Sequence, residues 1–232
     1  MAHFNKSKRS YPRVKIRQPD PIWLDDLLQQ GGIHLSKDQL RRLWRYHQLF
    51  FKRNKDRDLS RVTGFEGMVF KHYVDSLLVN EKIKLPRSLL DIGTGAGLPG
   101  IPLKIVNLDI NLILAEQRPK RVQFLKEVCK ELHFKNIGIF SHKVTSESFQ
   151  TPVNGVITRA LESIPKTLHR IKSFLTPEGM AIFMKGPSVA EELEEFNSQE
   201  DLQGIFKLSK DISYELAPLG HERRLIIFER RN

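Results

Sequence analysis

A chain of 232 residues with 38 Lys and Arg against 27 Asp and Glu carries a formal charge of +11, which favours polyanionic partners and leaves a merely basic enzyme as the plainer alternative. Its length suits one large domain or one domain with a small appendage, and its single cysteine, Cys129, excludes an internal disulfide framework and any multi-cysteine zinc site. Apolar runs such as 225–228 are too short to span a bilayer and the first residues lack an apolar signal core, so a cytoplasmic location, no membrane partner and no metal are expected.

Residues 1–20 carry Lys6, Lys8, Arg9, Arg13, Lys15 and Arg17 with no acid before Asp20. Such a segment buries too little to order itself and predicts a flexible basic tail, either a solvated terminus or a loose phosphate-binding arm. Residues 21–82 read as a helical cap. Trp23, Leu24, Leu27 and Leu28 form a short amphipathic set stopped by Gly31-Gly32. Ser36 is a suitable N-cap for a second helix carrying Leu40, Leu43, Trp44, Leu49 and Phe50. A basic polar connector is expected over 52–58. A third helix then carries Phe65, Met68, Val69, Tyr73, Leu77 and Leu78.

From residue 83 onward a second region alternates strand and helix. Strands are predicted over 88–93, 111–116, 136–140, 153–158 and 180–184, with helices over 99–106, 119–132, 164–174 and 189–197 between and after them. The last stretch, 205–216 then 224–229, reads as two strands joined by a loop. Crossovers of this length imply a parallel sheet with right-handed connections. The expected fold is therefore α/β: a Rossmann-like, mostly parallel seven-stranded sheet over 83–232 behind the helical cap. Architecture of this kind fixes no function by itself.

The stretch Leu89-Leu90-Asp91-Ile92-Gly93-Thr94-Gly95-Ala96-Gly97-Leu98-Pro99-Gly100 reads in two registers. From Gly95 it spells the dinucleotide fingerprint G-x-G-x-x-G, with Glu116 about twenty residues on, where a ribose carboxylate belongs. From Asp91 it spells D-x-G-x-G-x-G, the shape associated with S-adenosylmethionine. Both cofactors use a strand end, a tight glycine turn and a helix N-terminus. A pyrophosphate is anionic there, whereas S-adenosylmethionine presents a sulfonium and an ammonium that Asp91 would balance directly or through water. Pro99 removes a backbone N–H where a pyrophosphate would need one. The acid and the three glycines favour S-adenosylmethionine over a nicotinamide cofactor, and so the class I methyltransferase variant of the fold.

Methyltransferases place substrate-facing residues after the fourth strand. Here that position reads Ile157-Thr158-Arg159-Ala160, without the paired prolines and aromatic stacker that suit an exocyclic amine. Methylation of a pyrimidine carbon commonly needs a cysteine nucleophile, and Cys129 falls among Phe124, Leu125, Val128 and Leu132 on the core side of its helix. Guanine N7 has an in-plane lone pair and needs no general base, only alignment with the methyl group and a grip on the base or flanking phosphates.

The run Gly93-Thr94-Gly95-Ala96-Gly97-Leu98-Pro99-Gly100-Ile101-Pro102-Leu103 closely resembles the signature of the small-subunit ribosomal RNA methyltransferase G family, also called glucose-inhibited division protein B. Lys71 to Ser76, Lys120 to Leu125, Thr158-Arg159-Ala160, Lys185-Gly186 and Glu222 to Leu225 agree in order. The resemblance implies transfer of methyl from S-adenosylmethionine to N7 of a guanine in 16S ribosomal RNA, the RNA or the small subunit being the partner of a monomer. It also implies that Asp91, Gly93, Gly95, Gly97, Leu98, Glu116, Val144, Thr145 and Arg159 lie on the cofactor side. Arg121, Arg159, Lys185, Arg223, His72 and Asp75 match the family positions near the reacting groups and the RNA.

Several positions depart from the family pattern. Asp58-Leu59-Ser60 replaces Asn-Leu-Thr, Glu116-Gln117 replaces Asp-Ser, Lys143 stands for Arg and Thr145 for Glu. Three other readings remain open on residues alone: a noncatalytic RNA-binding or ribosome-assembly factor, an NAD-dependent oxidoreductase, and a small-molecule methyltransferase.

Overall fold

The computed structural model describes residues 17–232, so residues 1–16 of the basic tail expected over 1–20 lie outside the described residues. Helix α1, Pro21–Gln30, starts where the Asp20 side chain accepts the Trp23 N–H at 2.7 Å, with proline in its first turn. Helix α2, Lys37–Arg57, opens with a capping box in which the Ser36 hydroxyl accepts the Gln39 N–H and the Gln39 side chain accepts the Ser36 N–H.

The connector expected over 52–58 is helical as far as Arg57, which corrects the sequence reading. Basic residues suit a helix C-terminus, and two of them have a distant partner. Arg53 and Arg57 donate to Glu127 of the later helix Pro119–Glu131 at 3.1 and 2.8 Å. Asp58 ends α2 in the left-handed conformation at φ 48°, where a short polar side chain is tolerated. An acid in place of the family's amide is therefore compatible with this turn.

The third helix is not uniform. Helix α3, Phe65–Met68, passes through a π-helical segment, Val69–Val74, into α4, Asp75–Lys82. The wider π turn takes residues three apart farther from a shared face than an α-helix does. His72 and Asp75, three apart in the chain, address different neighbours: Ser60 and Arg223.

The strand–helix region runs β1 Ser88–Ile92, α5 Gly100–Val106, β2 Asn111–Ala115, α6 Pro119–Glu131, β3 Ile137–Phe140, β4 Val153–Arg159 and α7 Ile164–Ile171. It continues as β5 Leu175–Lys185, α8 Ala190–Asn197, α9 Glu200–Ile205, β6 Phe206–Leu216 and β7 His221–Arg230. The seven strands lie in the order β3-β2-β1-β4-β5-β7-β6. Pairing is parallel from β3 to β5, and β7 is antiparallel to both β5 and β6. This is the mostly parallel seven-stranded sheet the sequence predicts. Two details differ: β5 begins at Leu175, pairing with Val153, and α9 has no strong signal in the sequence.

Adjacent residues of β1 feed opposite cores, as strand geometry requires. Leu89 packs with the cap residues Leu28, Tyr46, Phe50 and Tyr73, while Leu90 packs with Val156, Leu168, Phe183 and Ile226. The cap helices thus share one core with a face of the sheet. From β1 the chain winds one way to β2 and β3 and then returns to β4 on the other side, leaving a crevice at the carboxyl ends of β1 and β4. Among the described residues no helix is long and apolar enough to cross a membrane.

Candidate active site

The loop after β1 has positive φ at Gly93, Gly95 and Gly97. Gly93 combines φ 73° with close quarters, because a Cβ there would stand 2.7 Å from Leu161 Cδ1. Gly100 is required for a different reason. A Cβ on it would lie 2.5 Å from Leu114 Cδ2 and 2.7 Å from Asp91 Oδ2, so its bareness lets the first turn of α5 press onto β1 and β2. The third glycine of the dinucleotide register therefore serves packing inside the protein.

Asp91 is 1% exposed, and its Oδ2 accepts the Thr94 hydroxyl at 2.6 Å and the Gly100 N–H at 2.8 Å. Burial raises its pKa to about 6, against the opposing pull of those two bonds. These two bonds fasten β1 to the start of α5, while Oδ1 has no hydrogen-bond partner. Leu98 is 6% exposed and packs in the core shared with the cap.

Above the carboxyl ends of β1, β2 and β4 lies a cavity of about 370 Å³, walled by Gly93, Glu116, Arg121, Val144, Leu161 and Arg170. Glu116 follows β2. Its Oε1 accepts the Arg118 N–H at 2.8 Å, and its Oε2 stands 3.8 Å from Arg121. Val144 is on the wall, but Thr145 turns away, its hydroxyl accepting the Ser148 N–H at 3.1 Å and donating to Ser148 Oγ at 3.2 Å. His142 and Lys143 border the cavity ahead of Val144.

Arg170 and Glu162 were not anticipated. From α7, Arg170 donates to the Val144 carbonyl at 2.8 Å and to Glu162 Oε2 at 2.6 Å, joining the loops after β3 and β4. No motif announces them; only the fold brings these segments together.

The expected basic residues are held by internal partners. Asp75, 1% exposed, accepts from Arg223 at 3.1 and 2.7 Å, from Arg159 at 3.3 Å and from the Tyr214 hydroxyl at 3.1 Å. Arg159 also donates to the Lys71 carbonyl at 3.1 Å. Four elements, α4, β4, β6 and β7, meet at this one carboxylate. Lys185 reaches the Glu162 carbonyl at 2.8 Å and Glu192 at 2.7 Å, and it shares with Arg223, Ala160 and Leu161 a second depression of about 310 Å³. Ala160, Leu161 and Glu162 border both hollows, so the two are contiguous.

Arg121 stands on the cofactor-cavity wall and donates twice to the Asp58 carbonyl, at 2.6 and 3.0 Å. His72 pairs with Ser60 Oγ at 2.8 Å, stacks on Phe50, and is driven down to a pKa of about 4 chiefly by burial. The serine in the departed turn thus supplies the hydroxyl that a threonine would. Cys129 is pushed up to about 11 by burial, which makes it a poor nucleophile.

The residues present fit S-adenosylmethionine. A glycine cradle gives close backbone approach, and Glu116 is placed for a ribose diol. Among the described residues no group of three or more His, Cys, Asp or Glu could hold a metal ion.

A protein of Syntrophobacter fumaroxidans described as ribosomal RNA small subunit methyltransferase G 2 is 42% identical over 91% of this chain. The match spans 42% of that relative, so the chain is under half its length. The protein of the same description from Bdellovibrio bacteriovorus is 36% identical over 89% of this chain and 80% of its own length. Among solved structures, the fibrillarin/Nop5p complex matches with a TM-score of 0.53 at 17% identity, covering 69% of this chain and 82% of that one. That likeness concerns the fold alone, the class I S-adenosylmethionine-dependent methyltransferase fold. The family model for rRNA small subunit methyltransferase G matches residues 39–215, and the chain belongs to that family.

Proposed function

We propose that this protein transfers methyl from S-adenosylmethionine to N7 of a guanine in 16S ribosomal RNA, acting as a cytoplasmic monomer on the RNA or the small subunit. The observation that carries the choice of atom is the state of the carboxylates beside the cofactor cavity. In the second depression Glu162 is bonded to Arg170, and Glu192 to Lys185. Both are engaged by cations, so neither presents a free carboxylate to the bound base. An exocyclic amine must lose a proton when it is methylated, whereas N7 has none to lose.

Bound S-adenosylmethionine supplies an electrophilic methyl group. Within the protein, the glycine loop and Glu116 fix the cofactor, and the second depression holds the base. Arg223 and Lys185 bring positive charge to the base O6 or adjoining phosphate, aligning the N7 lone pair with the methyl carbon. The new N7–C bond forms as the sulfur–carbon bond breaks. No step needs a side-chain base, so catalysis rests on proximity and charge placement. A net charge of +11 supports a polyanionic acceptor.

The test is incubation with methyl-labelled cofactor and either deproteinised 16S RNA or small subunits, followed by mass mapping of the product. Label on a guanine N7 is the expected result. Label on another atom overturns the choice of N7, and no label in either substrate leaves RNA binding without catalysis.

A further inference from the structure

Helix α2 belongs to the cap, yet it reaches the cofactor loop at one point and the wall of the cofactor cavity at another. The Tyr46 hydroxyl donates to the Ala96 carbonyl at 2.8 Å, across 50 residues of chain. Tyr46 is 0% exposed and Ala96 2%. At its far end α2 stops at Asp58, whose carbonyl takes both bonds from Arg121. Arg121 in turn comes within 3.6 Å of where a Cβ on Gly95 would stand.

The loop needs such a hold. Gly95 and Gly97, on either side of Ala96, sit at φ 60° and 96°, and glycines lose more conformational freedom on ordering than other residues. The sheet fastens the loop near its two ends. The Gly93 and Thr94 N–H groups donate to the Ala115 carbonyl at 3.0 and 3.1 Å, and the Gly100 N–H donates to Asp91. Among the described residues no backbone N–H is bonded to the Ala96 carbonyl, so the middle of the loop is held from the cap. The Tyr46 ring packs against Phe50, Tyr73 and the Phe124 ring of α6, at centroid distances of 5.8, 5.9 and 6.3 Å, and this packing aims its hydroxyl. Neither Tyr46 nor Ala96 borders the cavity, so the tyrosine acts on the cofactor through the loop.

We propose that Tyr46 is a positioning residue of the cofactor site: it sets the middle of the glycine loop from the cap, so that cofactor binding and the docking of α2 are coupled. The proposal rests on S-adenosylmethionine as the cofactor and is independent of the acceptor atom. Such coupling is reciprocal. A cap that orders the loop for the cofactor is itself held more firmly once the cofactor is bound.

Tyr46→Phe keeps the ring and removes the donor. Tyr73→Phe is the matched control, because its buried hydroxyl pairs with His47 Nδ1 at 2.9 Å in the same core and not with the loop. Isothermal titration with S-adenosylhomocysteine and amide hydrogen exchange are measured on the full chain. Tyr46→Phe should weaken S-adenosylhomocysteine by about five- to tenfold, the scale of one buried hydrogen bond, while Tyr73→Phe stays within about twofold. In the unaltered protein S-adenosylhomocysteine should slow exchange over residues 43–50 of α2 as well as at the cavity wall. That slowing over α2 should shrink in Tyr46→Phe and persist in Tyr73→Phe. A merely structural hydroxyl would lower stability in both variants without this difference.

Affinity within about twofold in Tyr46→Phe, or an equal loss in Tyr73→Phe, overturns the proposal. If Tyr46→Phe does not fold, the unaltered protein decides. Slowed exchange over 43–50 on adding S-adenosylhomocysteine supports the coupling, and slowing confined to the cavity wall overturns it. Absence of S-adenosylhomocysteine binding by the unaltered protein overturns the cofactor assignment and this proposal with it. Absence of methyl transfer to RNA with that binding intact overturns the acceptor reading alone.

Discussion

Asp75 on α4 accepts two bonds from Arg223 on β7, Nε to Oδ1 at 3.1 Å and the terminal nitrogen to Oδ2 at 2.7 Å, across 148 residues of sequence. The carboxylate is 1% exposed and also receives Arg159, so the cap helix fixes two cations that the sheet presents. Removing one partner of a buried ion pair strands the other, at about 3–5 kcal/mol. Asp75→Ala should therefore lower the unfolding free energy by about that much in urea titration. In the folded fraction, the RNA KM should rise while S-adenosylhomocysteine affinity is preserved. Loss of stability with an unchanged RNA KM would reduce Asp75 to scaffolding.

Much of this arrangement was legible from the residues. Five strands with four helices between and after them, a paired terminal stretch and the D-x-G-x-G-x-G run are local patterns, and local periodicity is what a sequence displays. The regions that differed are decided by remote partners. Helix α2 extends through a polar run because Glu127 of α6 receives Arg53 and Arg57. Arg170 reaches the cavity from a helix whose spacing gives no hint of it, and the π segment that separates His72 from Asp75 has an unremarkable apolar pattern. Contacts between segments far apart in sequence leave no periodic trace.

The acid sensitivity of the fold should be dominated by two buried histidines. Burial lowers His47 and His72 to about 4 from 6.5. Below pH 6.5 the unfolded chain takes up protons that the folded chain refuses, so stability falls as pH drops toward 4. Each histidine contributes up to about 1.4 kcal/mol per pH unit. Asp91 opposes this: raised to about 6 from 3.8, it is protonated in the fold while still ionised in the unfolded chain, so it adds stability as pH falls through that window. The net expectation is a loss on the order of one histidine's slope. Urea midpoints from pH 7 to 4.5 should show it, and His47→Gln with His72→Gln should flatten or invert the trend. Equal slopes in both proteins would refute the assignment.

Asp91 separates a structural acid from a cofactor ligand. Its Oδ2 receives two donors inside the protein, so Asp91→Ala leaves both without their acceptor and should lower stability by about 2–4 kcal/mol. Asp91→Asn retains one amide oxygen to accept them and should be milder. Because these bonds support the loop from beneath, Asp91→Asn should bind S-adenosylhomocysteine within about threefold of the unaltered protein, under 1 kcal/mol. A larger drop in a stably folded variant would restore direct charge balance as its role.

Glu116 makes the converse case. It borders the cavity, and its Oε1 is occupied by the Arg118 N–H at 2.8 Å, while Oε2 has only Arg121 at 3.8 Å. That second oxygen is the one placed for a ribose hydroxyl. A hydrogen bond to a charged group contributes about 1.5–3 kcal/mol, so Glu116→Ala should weaken S-adenosylhomocysteine binding by roughly ten- to a hundredfold in isothermal titration. Stability should change little, because Glu116 lies at a cavity edge and the backbone pairing of β2 with β1 and β3 is untouched. Glu116→Gln keeps an acceptor for the Arg118 N–H and should fall between the two, isolating the part of the affinity that depends on the negative charge. Affinity within twofold in Glu116→Ala would move the ribose contact elsewhere on the cavity wall.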